Sequence, residues 1–247
     1  MSASPIPMNP SASTPGVDVA TRPAMLASVT GVLLLVMAIA AFVGFSAQAG
    51  LVVRGDAAET AARIAGSTRL FQAGFIGYLV AFLLDVPVAI LLYVLLRPAS
   101  GTLSLLAASF RLVYAAIVGA DLLNQLGAML LLGGAGHPPA YGAAEQQGIA
   151  LLFLDLFQHG FKLALVFFAF HLLALGALLL RSSAPGILGV LMGIAGVAYL
   201  VDSSSFFLLP RLNAKLAPFL AVPMTFELVL ALWLVVKGRS AGWEATT

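Results

Sequence analysis

FQAGFIGYLVAFLLDVPVAILLYVLL, residues 71–96, is predominantly apolar with Asp85 as its single charge, and it stops at Arg97-Pro98. At 1.5 Å of rise per residue it would be about 39 Å long as a helix, enough to cross the ~30 Å hydrocarbon core of a bilayer. Proline after a basic residue marks a helix boundary. The stretch therefore reads as a membrane-spanning helix that carries one carboxylate near its middle, with Pro87 beside it.

Five more runs have the same character: Met25 to Gln48, Leu103 to Leu132, Ile149 to Leu180, Ile187 to Leu209 and Pro218 to Val236. The composition agrees, with 61% hydrophobic and 9% charged residues and a mean hydropathy of +1.06, against roughly 25% charged in a soluble domain. The expected fold is all-α, an integral membrane bundle of about six helices, with no room for a soluble catalytic domain. Residues 1–23 are rich in Pro and Ser and read as a disordered tail. Residues 24–238 form the single membrane domain, and 239–247 a short C-terminal tail. Ala47-Gln48-Ala49 resembles a leader-peptidase site, but the first run is long and has little basic flank, so an uncleaved helix is expected. Gly133 to Tyr141, with Pro138-Pro139, reads as a loop.

The third and fourth runs exceed the bilayer thickness. Either the third tilts and projects, or Leu103 to Phe110 lies at the interface and Arg111 marks where the helix enters the lipid. The first outer loop holds Glu59 and Arg63 at i, i+4, the spacing of an ion pair on a short amphipathic surface helix. Six helices put both termini on one side. Lys and Arg are nearly balanced between the sides, but Arg97, Arg181 and Lys237 abut helix ends on the side of the termini, which favours a cytoplasmic location for both.

A net charge of +2 with scattered bases gives neither a nucleic-acid patch nor a polybasic lipid cluster. The absence of cysteine excludes disulfides and thiolate chemistry. HExxH, GxSxG, Walker A and dinucleotide glycine motifs are missing. With three histidines on different faces or in loops, no metal and no cofactor is expected. The expected partners are the lipid bilayer and either a second copy or another membrane protein.

Charged groups inside apolar runs are costly in lipid, so they are the candidate site. They are Asp85, Arg111, Asp121, Asp155, Lys162, Asp202 and Glu227. Asp121, Asn124 and Gln125 share one helix face, as do Asp155, Gln158, His159 and Lys162, an arc of about 100° that should avoid lipid. His171 falls about 160° around from Asp155 and outside that cluster. With the termini inside, Asp121, Asp155, His159, Lys162 and Asp202 all fall in the outer half, and the expectation is a polar vestibule opening outward above two deeper carboxylates, Asp85 and Glu227. Near these acids, Pro87 and Pro223 free backbone carbonyls, which commonly line cavities. The competing reading pairs the charges structurally: Asp155 with His159 or Lys162, Arg111 with an acid on a neighbouring helix. Gly186, Gly189, Gly193 and Gly196 make a smooth seam for helix packing, with Asp202 on the opposite side, so the fifth helix is expected to be central.

The segment from Phe170, FHLLALGALLLRSSAPGILGVLMGIAGVAYLVDS, and ELVLALWLVVKG from Glu227 resemble the bacterial membrane family called domain of unknown function 4386. The shared features are the Phe-His-Leu-Leu start, the break after a basic residue, the Ile-Leu-Gly helix ending in Tyr-Leu-Val-Asp and the Glu-containing last helix ending in Lys-Gly. The resemblance covers nearly all of 25–240, most tightly 155–240. The chain departs from the family in its Pro/Ser-rich tail and in having Ala-Pro-Gly where many members carry Pro-Arg. The resemblance implies a multi-pass protein of the bacterial inner membrane, puts His171, Asp202 and Glu227 at motif positions, and supplies no substrate. Three functions stay open: a small-solute or ion-coupled transporter or channel, a scaffold or sensor whose charges are structural, and an intramembrane enzyme.

Overall fold

The computed structural model describes residues 23–133 and 142–238. The readings made for the two tails and for the Pro138-Pro139 loop, which also holds the third histidine, His137, lie outside the described residues. Among the described residues eight helices follow one another: α1 (Pro23–Gln48), α2 (Ala57–Gly66), α3 (Thr68–Leu96), α4 (Gly101–Leu132), α5 (Ala143–Leu179), α6 (Gly186–Leu208), α7 (Pro210–Met224) and α8 (Phe226–Val236). Six spans are long and apolar enough to cross a membrane: α1, α3, α4, α5, α6, and α7 with α8 together. Large apolar side chains such as Ile39, Phe45, Leu83 and Leu123 are mostly exposed on the outside of the bundle, a surface that only lipid can solvate. The protein is a multi-pass, all-α membrane bundle.

Local signals set several helix ends. Ser100 Oγ accepts from Leu103 N–H at the start of α4, and Asp56 accepts from Glu59 N–H at the start of α2, each meeting an orphan donor of a first turn. One boundary differs from expectation. Pro210 does not merely close the fifth span; it stands at the first position of α7, where a missing N–H costs nothing. The last span therefore begins at 210 rather than 218, and it breaks at Thr225, just after Pro223.

The spans form a ring in chain order. α1 packs on α3, α3 on α4, α4 on α5, α5 on α6, α6 on α7, and α8 returns to α1. The fifth span, α6, is thus one member of the ring and not its centre. Glycines make the close approaches. A Cβ on Gly77 would lie 2.7 Å from Ala40 O, and one on Gly31 2.8 Å from Ala231 O. In the α6 seam, Gly189 faces Gly176 O at 2.7 Å and Gly196 faces Ala169 O at 2.9 Å, both on α5. Gly193 has open space for a Cβ, and at Gly186 the nearest atom is 3.7 Å away. Two of the four seam glycines are therefore sterically required.

α6, with 23 residues, is about 34 Å long and matches the bilayer; α4 and α5, with 32 and 37 residues, reach about 48 and 55 Å. The excess projects on the side away from the termini. There α2 lies against α5, and Leu51, Ile64, Phe71, Ala128, Ala150 and Leu154 form a small separate core. α4 is continuous from Gly101, and Arg111 is completely buried. Arg111 therefore does not mark where α4 enters the lipid.

Candidate functional site

Arg111 of α4 points into the ring, and its guanidinium makes four hydrogen bonds and two ion pairs there. Nε donates to Asp85 Oδ1 of α3 at 2.9 Å, and Nη2 approaches the same oxygen at 2.8 Å. Nη1 donates to Glu227 Oε1 of α8 at 2.8 Å and to His171 Nε2 of α5 at 3.0 Å. Nη2 also reaches Met37 Sδ of α1 at 3.4 Å. The ring of Phe168 covers the guanidinium at 5.3 Å, a cation–π contact. Because arginine only donates, His171 Nε2 must accept, which leaves the proton on Nδ1, where it is donated to Ala107 O at 2.9 Å. His171 is then neutral. Counting side chains, the cluster holds one cation and two carboxylates, a formal charge of −1.

Helix rise gives the depth. Arg111 is about 15 Å from the start of α4, Asp85 about 16 Å from the end of α3, and Glu227 about 14 Å from the end of α8. All three sit near mid-bilayer. Glu227 stands in the first turn of α8, just past the break at Thr225. The ends of two half-helices therefore meet beside the cluster, an arrangement typical of membrane binding sites.

A second ion pair joins Lys162 of α5 to Asp202 of α6, with the Phe206 ring 5.6 Å from Nζ. Asn213 Nδ2 of α7 also donates to Asp202 Oδ1 at 3.0 Å and to Asp202 O at 2.9 Å. Lys162 pairs with Asp202 and not with Asp155, because its long side chain turns into the ring. This pair lies about 24 Å from the terminal side, roughly 10 Å above the Arg111 cluster.

Between the two charge groups is a cavity of about 440 Å³, within the range of small-molecule sites. Asp85, Glu227, Lys162 and Asp202 line it together with Tyr78, Tyr114, Tyr199 and Thr225, and the rest of its wall is apolar. The expected single outer vestibule does not form. Asp121, Asn124 and His159 line a separate groove on the lipid-facing side of α4 and α5, and Asp155 and Gln158 line a recess near Gln48. The 100° arc on α5 straddles the rim of the ring, so Lys162 falls inside and His159, which is exposed, outside. His159 is about 30 Å from the terminal side, at the far interface, where a polar ring is tolerated. Its Nδ1 bonds Asp155 O and not the carboxylate.

Asp121 accepts from Asn124 Nδ2 at 2.7 Å, while Gln125 leaves that stripe to exchange two hydrogen bonds with Gln48 of α1 at 2.9 and 3.0 Å. Asp121 Oδ2 and Ser203 Oγ are the buried side-chain atoms without a partner among the described residues. No group of three His, Asp or Glu side chains that could hold a metal occurs among the described residues. His171 is not isolated but stands in the deep cluster. Its separation from Asp155 was legible from helical phase, and its partnership with Arg111 was not. Tyr78, Tyr114, Tyr199 and Met37 were not singled out by the sequence, since nothing in their spacing distinguishes them from core residues.

The family described as Domain of unknown function (DUF4386) matches residues 29–238. An uncharacterized protein of Archaeoglobus fulgidus is 32% identical over 173 residues, covering 70% of this chain and 88% of that relative. No solved structure matches.

Proposed function

The chain belongs to the DUF4386 family, and we propose that it is a carrier that binds a small lipophilic cation in its mid-membrane cavity in exchange for a proton. The observation that carries this reading is the charge count at Arg111: one guanidinium, two carboxylates and a neutral imidazole. Lys162 and Asp202 cancel, so the cavity wall keeps one negative charge. A lone charge in apolar surroundings is costly until something compensates it. A proton can do so, and so can a cationic ligand. Glu227 is the more accessible of the two acids, its side chain 19% exposed against 4% for Asp85, and it adjoins the helix break.

Equilibrium binding of radiolabelled tetraphenylphosphonium to the purified protein tests the reading. For a cation about 5 Å from Glu227 at an effective dielectric of about 20, the attraction is about 3 kcal/mol, so Glu227→Gln should weaken binding about 100-fold. Equal binding by parent and variant would defeat it.

One observation favours a second reading, a scaffold. The acceptors for Arg111 come from four other spans, so this side chain alone can specify helix order. A scaffold would lose stability, and no binding function, when its charges are changed. For orientation we propose that both termini face the cytoplasm of a bacterial cell, supported by Arg97, Arg181 and Lys237 beside helix ends on that side. Reaction of single cysteines in the α3–α4 turn with an impermeant maleimide in whole cells would contradict that orientation.

A further inference from the structure

We infer that the ligand enters sideways from the lipid, through a slot between α1 and the α7–α8 junction, and is therefore a membrane-dissolved amphiphile with an apolar body and one cationic group. The inference rests on the cavity reading above and adds the route and the class of substrate.

The ring is closed between its first and last spans on the terminal half only. There Gly31 lets α8 come close, with Ala231 O and Val235 each 2.8 Å from where its Cβ would be. On the far half, α1 is held by α3, where Gly44 packs on Tyr78 and Gly74 on Gln48. α7 packs on α6 and touches α8, has no comparable packing with α1, and has no buried residue among those described. The helix breaks between α7 and α8 at Thr225, just after Pro223.

The cavity reaches the surface at this gap. Phe42 of α1, Thr225 and Leu228 line the cavity and are at the same time exposed, Phe42 to 69%. Their depth identifies the medium outside. On the depth scale used above, Thr225 lies about 16 Å and Leu228 about 12 Å from the end of α8, in the middle of the hydrocarbon core, whereas Phe42, about 28 Å from the start of α1, lies toward its far edge. The opening thus runs upward from mid-core, and its lower part faces acyl chains. Inside the slot, Leu34, Ala38, Phe82 and Leu165 offer apolar wall, and the acids stand at the deep end. An apolar body along the wall with its cationic end at Glu227 satisfies both.

Photocrosslinking reads the route without relying on cation binding. p-Benzoylphenylalanine replaces Phe161, on the cavity wall, or Phe42, on the rim, in protein reconstituted into unsaturated phosphatidylcholine vesicles, and adducts are identified by mass spectrometry. Lipid adducts are expected at both positions. Ala38→Trp and Thr225→Trp, which fill the slot from its two sides, should each cut the adduct at 161 at least fivefold and leave that at 42. Monodisperse elution of each variant shows that it has folded. A lipid adduct at 42 with none at 161, or one at 161 that neither tryptophan reduces, would overturn the inference. Should tetraphenylphosphonium fail to bind while the slot-dependent adduct forms, the cation reading falls and the lateral route stands.

Discussion

Replacing Arg111 by methionine gives the sharpest test of how the centre of the bundle is held. Methionine fills much of the same volume but removes all five donors, leaving Asp85, 3% exposed, and Glu227 facing each other without a cation. Breaking a buried ion pair from one side costs about 3–5 kcal/mol, because the partner is stranded. Two acids are stranded here, so Arg111→Met should cost at least that much. If Asp85→Asn and Glu227→Gln are added, no buried charge is left unmatched, and replacement of the whole set by neutral groups should recover most of the loss. Arg111→Lys should fall between, since three rotating donors cannot reproduce a planar fork that meets two acids, an imidazole and a sulfur. The assay is unfolding free energy in mixed detergent micelles, with each variant's elution profile as control. A single variant within about 1 kcal/mol of the parent, or a triple variant no better than the single one, would refute the reasoning.

Other substitutions separate structural from functional charge. Glu227→Gln alone removes the excess negative charge while its amide oxygen can still accept from Arg111, so stability should stay within about 1 kcal/mol of the parent while cation binding falls. Lys162→Met leaves Asp202 with only Asn213, and should cost about 2–3 kcal/mol, largely recovered by adding Asp202→Asn; micelle unfolding reads both. In the glycine seam, Gly189→Val meets Gly176 O and Leu180 and should cost about 1–3 kcal/mol, whereas Gly193→Ala enters open space and should cost nothing measurable. Glu59→Ala breaks a half-exposed pair with Arg63 and should change stability by less than about 0.5 kcal/mol.

The spans were legible because twenty or more apolar residues in sequence have few alternatives, and the α2 ion pair because i, i+4 spacing is local. The site was legible only as a set of residues. Asp85, Asp202 and Glu227 stand out as charges in lipid, but which of them meet depends on how each helix is rotated, and apolar runs exposed to lipid on one side and protein on the other carry little phase information. Arg111 shows the limit: in a 32-residue helix an arginine eleven positions in suits an interface as well as a bilayer centre, until the helix is seen to project on its other side. The seam glycines show a second limit, since spacing puts four on one stripe but only contact with α5 tells which two matter. Lys162 could choose between Asp155 on its own helix and Asp202 on the next, and only the ring places the second acid in reach.

The central claim, that the one excess negative charge on the cavity wall is balanced by a proton or by a cation in turn, is tested most directly by counting protons as the cation binds. Tetraphenylphosphonium is added to the purified protein in weakly buffered detergent solution, and proton release is measured against cation bound, for the parent and for Glu227→Gln. Release of about one proton per cation by the parent, together with weakened binding in the variant, is the result the account expects. Binding with no proton released and with the same affinity in the variant would contradict it.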